Sequence, residues 1–284
     1  MQGNKLLKES VPAAVRKYAA SILQPVALIG CRTSEISLDC CEYDFAVFAE
    51  GNNQVLQVEG HTVELVHIGD KDNLVDISSM VALNDKFMHS SRSIAPEKFR
   101  RALAAAGKKS LISSLFYQQR MNFVKNPIVS AMWLKVAAYE FITGSIALSG
   151  IRPMPLHEPE QIRQIDTGGF AEGIQVAFEC IGTERGTRPA ITRSLEAILE
   201  LKSNDYDCDL VMSKIRHLLE RRMLADCYYY AGKVATKSLA GRSDIFHSRY
   251  SKLAQLALDL TSDLSHLHKL QRNLLKAANG GLRG

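Results

Sequence analysis

The sequence predicts an α+β protein, in which a small mixed or antiparallel sheet is followed by an all-helical C-terminal region. Short apolar or alternating segments, which are typical of strands, are concentrated between residues 26 and 68. After about residue 95, apolar residues recur at spacings of three and four, which is typical of helices. A chain of 284 residues with 46% hydrophobic content can form two domains. We place them at residues 1–92 and 93–284, with a further division near residue 184 as an option for the second.

The N-terminal part contains one helix and four candidate strands. The helix is predicted over residues 5–23, because Pro25 ends its periodic pattern. The strands are predicted in the segments VALI (26–29), YDFAVFAE (43–50), QVLQVEG (54–60) and TVELVHI (62–68). Gly60 and His61 are expected to form the turn between the last two strands.

The C-terminal part is predicted to consist of packed helices. One or two helices cover residues 97–124, and Pro127 begins another that extends to about Ser149. Shorter helices are expected within 160–183 and over 189–202, followed by two longer ones. The last carries a stripe of leucines, which is typical of a bundle core: Leu253, Leu256, Leu260, Leu264, Leu267 and Leu274.

Composition limits the environment and the cysteine chemistry. The six cysteines form no CxxC pair, and Cys40 and Cys41 are adjacent, which is a poor spacing for zinc ligands. In a chain of this length without a recognisable signal peptide, reduced thiols are expected. The longest apolar stretch, 127–151, is interrupted by Lys135 and Glu140, which favours a core helix over a membrane span. The start of the chain is polar and charged, unlike a secretory leader. The expected location is the cytoplasm, with no membrane partner.

Charge is distributed unevenly along the chain. Residues 185–284 carry 17 Lys and Arg against 10 Asp and Glu, whereas the formal net charge of the whole chain is only +5. A solvated helical surface accounts for this excess. Binding of nucleic acid through the basic C-terminal third is the alternative, and it requires the basic residues to form a continuous stripe.

Three carboxylates in the sheet region form the main candidate site. Residues two apart on a strand point to the same face, so Glu42 and Asp44 converge while Tyr43 and Phe45 face a core. Glu64 lies in a later strand of the same sheet. Like charges repel, and a cation such as Mg²⁺, which prefers oxygen ligands, would stabilise the arrangement. Gly30, before the intervening loop, allows the backbone to approach a phosphate closely.

This pattern resembles the nucleotidyltransferase (polymerase beta-like) superfamily over roughly residues 5–90. The signature of that superfamily is Gly-Ser or Gly-Gly, a loop, Asp-x-Asp or Asp-x-Glu, and a third acid on a later strand. The matching positions are Gly30-Cys31, the loop 32–41, Glu42-Tyr43-Asp44 and Glu64.

The resemblance implies a function and a set of roles. Glu42, Asp44 and Glu64 would hold one or two Mg²⁺ ions, and Glu64 would also help to deprotonate a hydroxyl acceptor. The acceptor would attack the α-phosphate of an NTP substrate and release pyrophosphate. Gly30 and Cys31 would bind the phosphates through backbone N–H groups. Arg32 or Ser34 could add a phosphate contact. The acceptor, a small molecule or a macromolecule, is not indicated.

Two departures from the signature leave a second hypothesis open. Cys31 replaces the usual serine and is a weaker hydrogen-bond donor, and the first and third acids are Glu rather than Asp. An inactive member with a nucleotide-binding or regulatory role is therefore the alternative to an enzyme. His61 and His67, near Glu64, raise a separate zinc-site hypothesis, although surface or core histidines are more common.

Overall fold

The computed structural model describes residues 11–68, 75, 80–84, 86, 96–201 and 206–283. The chain divides into two compact units, Met1–Leu103 and Ala104–Gly284. The boundary falls within a helix, eleven residues after the position expected from the sequence. The predicted fold class is confirmed: a five-stranded mixed sheet is followed by a mostly helical region.

One α-helix and five strands lie entirely within the described residues of the first unit. They are α1 (Ala13–Ser21), β1 (Val26–Ile29), β2 (Tyr43–Val47), β3 (Gln54–Val58), β4 (His61–His67) and β5 (Val81–Ala82). The order in the sheet is β3-β4-β2-β1-β5. Strands β2 and β4 are parallel, while the other neighbours are antiparallel. The first residues of the helix predicted over 5–23 lie outside the described residues.

The two faces of the sheet are covered by separate apolar clusters. Tyr43, Phe45, Val63 and Leu65 are buried in one cluster together with residues of α1, as the alternation in the sequence predicts. The opposite face buries a smaller group around Ala46. Because neighbouring residues on a strand face opposite sides, this core fixes Asp44 and Glu64 on the second face.

A two-residue turn joins β3 to β4. Glu59 and Gly60 both have positive φ, 46° and 84°, as expected for the type I′ turn that matches the twist of a hairpin. The predicted turn at Gly60-His61 was therefore wrong by one residue, and His61 begins β4. Strand β3 exposes Gln54 and Gln57, as an edge strand does.

The second unit is built from helices in its described residues. The helix α2 (Pro96–Asn122) enters it, followed by α3 (Pro127–Leu148), α4 (Glu158–Gln164), α5 (Ala171–Ile181), α6 (Arg188–Leu201), α7 (Cys208–Glu220), α8 (Leu224–Ala240), α9 (Asp244–Arg249), α10 (Ser251–Leu258) and α11 (Leu264–Arg283). Asn126 caps α3 by accepting the Ile128 N–H at 2.9 Å, with Pro127 in the first position.

Helix α3 forms the centre of this unit. It is buried on nearly all sides, and α5, α8, α10 and α11 pack against it. This burial explains why apolar residues occur around the whole circumference of the helix rather than along one face. In the described part of the chain, no helix combines the length and apolar character needed to cross a membrane.

Candidate metal and phosphate site

The loop after β1 begins with a sharp turn at Gly30. Its φ and ψ are 76° and −161°, a combination that is essentially restricted to glycine. A single turn of 3₁₀-helix, Cys31–Thr33, follows. The Thr33 hydroxyl donates to the Gly30 carbonyl at 2.7 Å, and the Ser34 hydroxyl donates to the Cys31 carbonyl at 2.8 Å. These bonds hold the start of the loop in a compact conformation.

Arg32 holds the two ends of the loop together. Its Nε and Nη2 atoms donate to the Cys41 carbonyl at 3.1 and 2.6 Å, and Nη2 also donates to the Asp39 carbonyl at 3.1 Å. The guanidinium lies over the Tyr43 ring, 4.6 Å from its centroid. The geometry therefore gives Arg32 a positioning role in the loop, and the phosphate contact considered from the sequence stays a prediction.

The strand register brings the three predicted carboxylates together. Asp44 on β2 is directly opposite Ile29 on β1 and Glu64 on β4. Glu42 immediately precedes β2 and is buried. One carboxylate oxygen from each of the three residues lies within 4.8 Å of the others. The three acids thus form one compact all-oxygen cluster, as the strand alternation predicts for Glu42 and Asp44.

Gly30 is also required by the cluster itself. A Cβ atom at this position would lie 1.9 Å from Asp44 Oδ2 and 2.9 Å from Asp44 Cγ. The Asp44 carboxylate therefore occupies the space that any other side chain at position 30 would fill. Glycine, loop and acid form one structural unit, in which the backbone of the loop lies against the carboxylate cluster.

The Cys31 thiol lies beside the acids in a buried environment. Its pKa is raised, first by a hydrogen bond with the Cys41 thiol, then by burial, and further by the charges of Asp44 and Glu42. Cys41 Sγ also accepts the Leu38 N–H at 3.3 Å. The raised pKa keeps Cys31 protonated, so this thiol adds no negative charge to the cluster. All six cysteines are free, as the sequence predicts.

The sequence did not reveal the contact partners within the loop. Cys41 and Tyr43 support the site through Cys31 and Arg32, but the adjacent cysteines were considered only as poor zinc ligands. Cys41 follows Cys31 by ten residues and lies at the other end of the same loop, and this spacing was the available signal. A loop that returns to its starting strand brings its first and last residues together.

The two histidines of β4 contact residues outside the carboxylate cluster. His61 packs edge-on against Tyr43, with the ring centroids 5.8 Å apart. The backbone N–H of His67 donates to the Asn53 side chain at 3.0 Å. In the described parts of the chain, neither histidine belongs to a group of three closely spaced potential ligands.

Replacing Arg32 by Met is expected to loosen the loop. The substitution removes donors to the Cys41 and Asp39 carbonyls, and a charged hydrogen bond contributes about 1.5–3 kcal/mol. We expect the free energy of local opening to fall by roughly 1–3 kcal/mol. Hydrogen–deuterium exchange of peptides covering residues 31–42 measures this change. Arg32→Lys is the matched control, because lysine keeps the positive charge but lacks the planar guanidinium. It should restore only part of the protection of these peptides from exchange. Unchanged exchange in Arg32→Met would contradict the positioning role.

Comparisons with known proteins give no further assignment. Models of protein families, curated proteins and solved structures were all compared with this chain, and none matches it. The candidate site is accordingly defined by its own residues: a glycine turn, a loop held by arginine and three converging carboxylates.

Proposed function

We propose that this chain is a Mg²⁺-dependent nucleotidyltransferase, which transfers a nucleotidyl group from an NTP to a hydroxyl acceptor. The observation that carries the proposal is the convergence of Glu42, Asp44 and Glu64 within 4.8 Å, directly against the Gly30 turn. Carboxylate oxygens are the protein ligands that Mg²⁺ prefers, and such ions usually bind substrate phosphates as well. The donor set therefore fits the metal that the reaction requires.

The resemblance implies a role for each acid. Glu42 and Asp44 would hold the metal from the start of β2, and Glu64 would hold it from the parallel strand β4. When bound, Mg²⁺ neutralises the carboxylates and the phosphate oxygens and so stabilises the charge of the transition state. By the same resemblance, Glu64 would also accept the proton of the acceptor hydroxyl.

The reaction balances with these residues. The acceptor oxygen forms a bond to the α-phosphorus of the NTP while its proton passes to Glu64. The bond between the α-phosphorus and the bridging oxygen breaks, and pyrophosphate leaves with that electron pair. Backbone N–H groups at Gly30 and Cys31 would bind the phosphates of the NTP, because glycine leaves the backbone accessible there. Arg32 and Ser34 act by holding this loop in place.

A nucleotide-binding but inactive protein is the second candidate, and one observation favours it. Cys31 stands where the signature of the resembled superfamily usually has serine, and its thiol is hydrogen-bonded to Cys41. The side chain is thus engaged within the loop and is a weak donor towards a phosphate. Such a protein would bind NTP and metal, and its role would be regulatory.

Metal-dependent nucleotide binding tests both candidates at once. A melting curve is recorded with each of the four NTPs, in Mg²⁺, in Mn²⁺ and in EDTA. A ligand that binds only the folded state stabilises it by about 2.7 kcal/mol at one hundred times its Kd. We expect a shift that needs both NTP and metal. A chain that shows no such shift with any nucleotide is neither a transferase nor a nucleotide-binding relative.

Pyrophosphate release separates the enzyme from the inactive protein. The same mixtures are incubated with α-labelled NTPs, and labelled products and pyrophosphate are measured over time, with protein hydroxyls, water and added polyols as acceptors. Release that depends on metal supports the transferase. Cys31→Ser should raise the rate if the thiol only weakens catalysis. Binding without release in both wild type and Cys31→Ser favours the regulatory protein.

A further inference from the structure

Helices α2 and α11 lie side by side and antiparallel in the helical unit. Gln271 Nε2 on α11 donates to the Gln118 carbonyl at 2.8 Å and to the Asn122 side chain at 3.0 Å. Ten residues later on α11, a Cβ atom at Gly281 would lie 2.9 Å from Leu111 Cδ1 on α2. Since the residue numbers rise along α11 while they fall along α2, the two helices run in opposite directions and their exposed sides adjoin.

Both segments lack acidic residues. Residues 104–126, which form the end of α2 and the loop after it, and residues 264–283, which form α11, contain eight Lys and Arg and no Asp or Glu. The whole chain has 35 Lys and Arg against 30 Asp and Glu, a formal net charge of +5. The two segments therefore carry more net positive charge than the whole chain does.

The exposed side of α11 forms a basic stripe. Four side chains on it are exposed, and among the described residues none of them forms an ion pair: Lys269, Arg272, Lys276 and Arg283. Their spacing of three, four and seven residues places them on one face, opposite the buried residues of the helix. At 1.5 Å per residue, the stripe is about 21 Å long. It is the continuous stripe that nucleic-acid binding requires of the C-terminal third.

The adjoining side of α2 adds aromatic and apolar groups. Ile112, Phe116 and Phe123 are 58%, 56% and 86% exposed, and their spacing of four and seven residues places them on one side of α2 and of the turn that ends it. At 3.6 residues per turn, these positions follow, on the solvent side, those that contact α11. Lys108 and Lys109 are exposed beside them. Single exposed apolar residues are common, but phenylalanines within a basic surface form the combination that binds unpaired bases.

The α11 stripe and the exposed side of α2 together form a basic face, and acidic residues mark its two edges. On one side, α5 packs against α11 and exposes Glu172 and Glu179. On the other side, Asp244 pairs with Arg120 and neutralises it. The uncompensated positive charge is therefore confined to the surface between these edges, where the exposed phenylalanines also lie.

We propose that this basic face binds single-stranded nucleic acid, with phosphates along the α11 stripe and bases stacked on Phe116 and Phe123. A stripe of about 21 Å exceeds the length of a small anion and fits a polymer of negative charges. A single strand offers unstacked bases to aromatic side chains, whereas a duplex keeps its bases inside the double helix. A membrane surface is disfavoured, because α11 has its apolar side buried in the helical unit and presents polar and charged groups along the stripe.

The first test measures the binding of a single strand by fluorescence polarisation. The probes are labelled RNA and DNA of about 20 nucleotides with a repeating CA sequence, which does not pair with itself. They are added to the full chain in EDTA and without NTP, so the proposed transferase reaction is not involved. If four phosphates are bound, the affinity should fall about fiftyfold between 50 and 200 mM salt, since the logarithmic slope is about −0.7 per phosphate. Binding that is insensitive to salt, or no binding of either strand at 50 mM salt, would overturn the proposal.

Stacking on phenylalanine is tested with ligands that lack accessible bases. The duplex of the same sequence should bind at least about fivefold more weakly than the single strand, because stacking of one base contributes at least that factor. Phe123→Ala should weaken single-strand binding at least about fivefold and leave the binding of inorganic polyphosphate unchanged. Leu256→Ala, which shortens an exposed residue of α10, is the control and should bind as wild type. Equal affinity for single strand and duplex, or an unchanged affinity in Phe123→Ala, would contradict the proposal.

A matched pair of variants assigns the charge to α11. Arg272→Gln combined with Lys276→Gln should weaken single-strand binding at least about tenfold at 50 mM salt and lower the salt slope by about 1.4. Arg216→Gln combined with Lys252→Gln removes the same charge from exposed residues of α7 and α10 and should leave the affinity and the slope unchanged. Equal losses in the two variants would show an effect of net charge alone and reject the basic face. Binding of polyglutamate or of phosphatidylserine vesicles through Arg272 and Lys276, without binding of either strand, would also reject the proposal and assign the face to an acidic protein or a membrane.

Discussion

Asp44→Asn is expected to abolish nucleotidyl transfer and metal-dependent NTP binding while the chain keeps its fold. The substitution preserves the shape of the side chain beside Gly30 but removes the charge that balances Mg²⁺. Asp44 is the central acid of the three, because β2 pairs it directly with Glu64 and Glu42 precedes it by two residues. Misplacing or losing one group in such a site costs a hundredfold or more in rate. We therefore expect pyrophosphate release to fall by at least about a hundredfold.

Stability distinguishes a lost ligand from a damaged fold. Without metal, Asp44→Asn should be slightly more stable than wild type, because one of three mutually repelling carboxylates is removed. With metal and NTP, wild type should gain stability by mass action and the variant should not. Glu50→Gln, an exposed neutralisation shortly after β2, serves as the control and should behave as wild type. A variant that retains its metal-dependent melting shift would remove Asp44 from the proposed metal site.

The sequence predicted the strands that carry the acids because their alternation is strong. Tyr43 and Phe45 are apolar and lie in one core, which forces Asp44 to the other face whatever the strand pairs with. The order of strands was harder to predict. Consecutive strands joined by short turns suggest a simple antiparallel meander. In the structure, however, β4 lies between β2 and β3 and runs parallel to β2.

The two-residue strand β5 had no signal of its own. Val81 and Ala82 pair with β1, but two residues show no periodicity, and only the tertiary structure makes them a strand.

The burial of charged residues in the helices could not be predicted from the sequence either. Lys135 interrupts an apolar run, which indicated a core helix, but no local pattern shows that the residue is only 1% exposed. Such features depend on which helices pack around a residue.

Gly30→Ala is expected to have the largest effect on the stability of the first unit. The backbone at Gly30, with φ 76° and ψ −161°, is strained for any residue with a side chain, at about 1–3 kcal/mol. The new Cβ would also lie 1.9 Å from Asp44 Oδ2, and forcing an atom into a filled space costs about 1–3 kcal/mol more. We expect a total loss of roughly 2–6 kcal/mol, together with loss of metal-dependent nucleotide binding.

Hydrogen–deuterium exchange of peptides covering 26–47 measures this loss locally, which suits a chain of two units. Gly60→Ala is the matched control, since Gly60 also has positive φ, 84°, but a Cβ there meets no atom within 4 Å. Gly60→Ala should lower the stability only by the cost of the strained backbone conformation.

A double-mutant cycle separates the clash with the carboxylate from the strain. In an Asp44→Ala background, the two atoms nearest to the new Cβ are gone, and the next nearest atom, the Cβ of residue 44, lies at an ordinary contact distance of 3.4 Å. Gly30→Ala should therefore cost about 1–3 kcal/mol less there than in wild type. Additive effects would show that the loop moves away from β2 when Gly30 is changed. In that case Gly30 is needed only for the backbone conformation of the turn, and the close packing of the loop against Asp44 is not a requirement of the site.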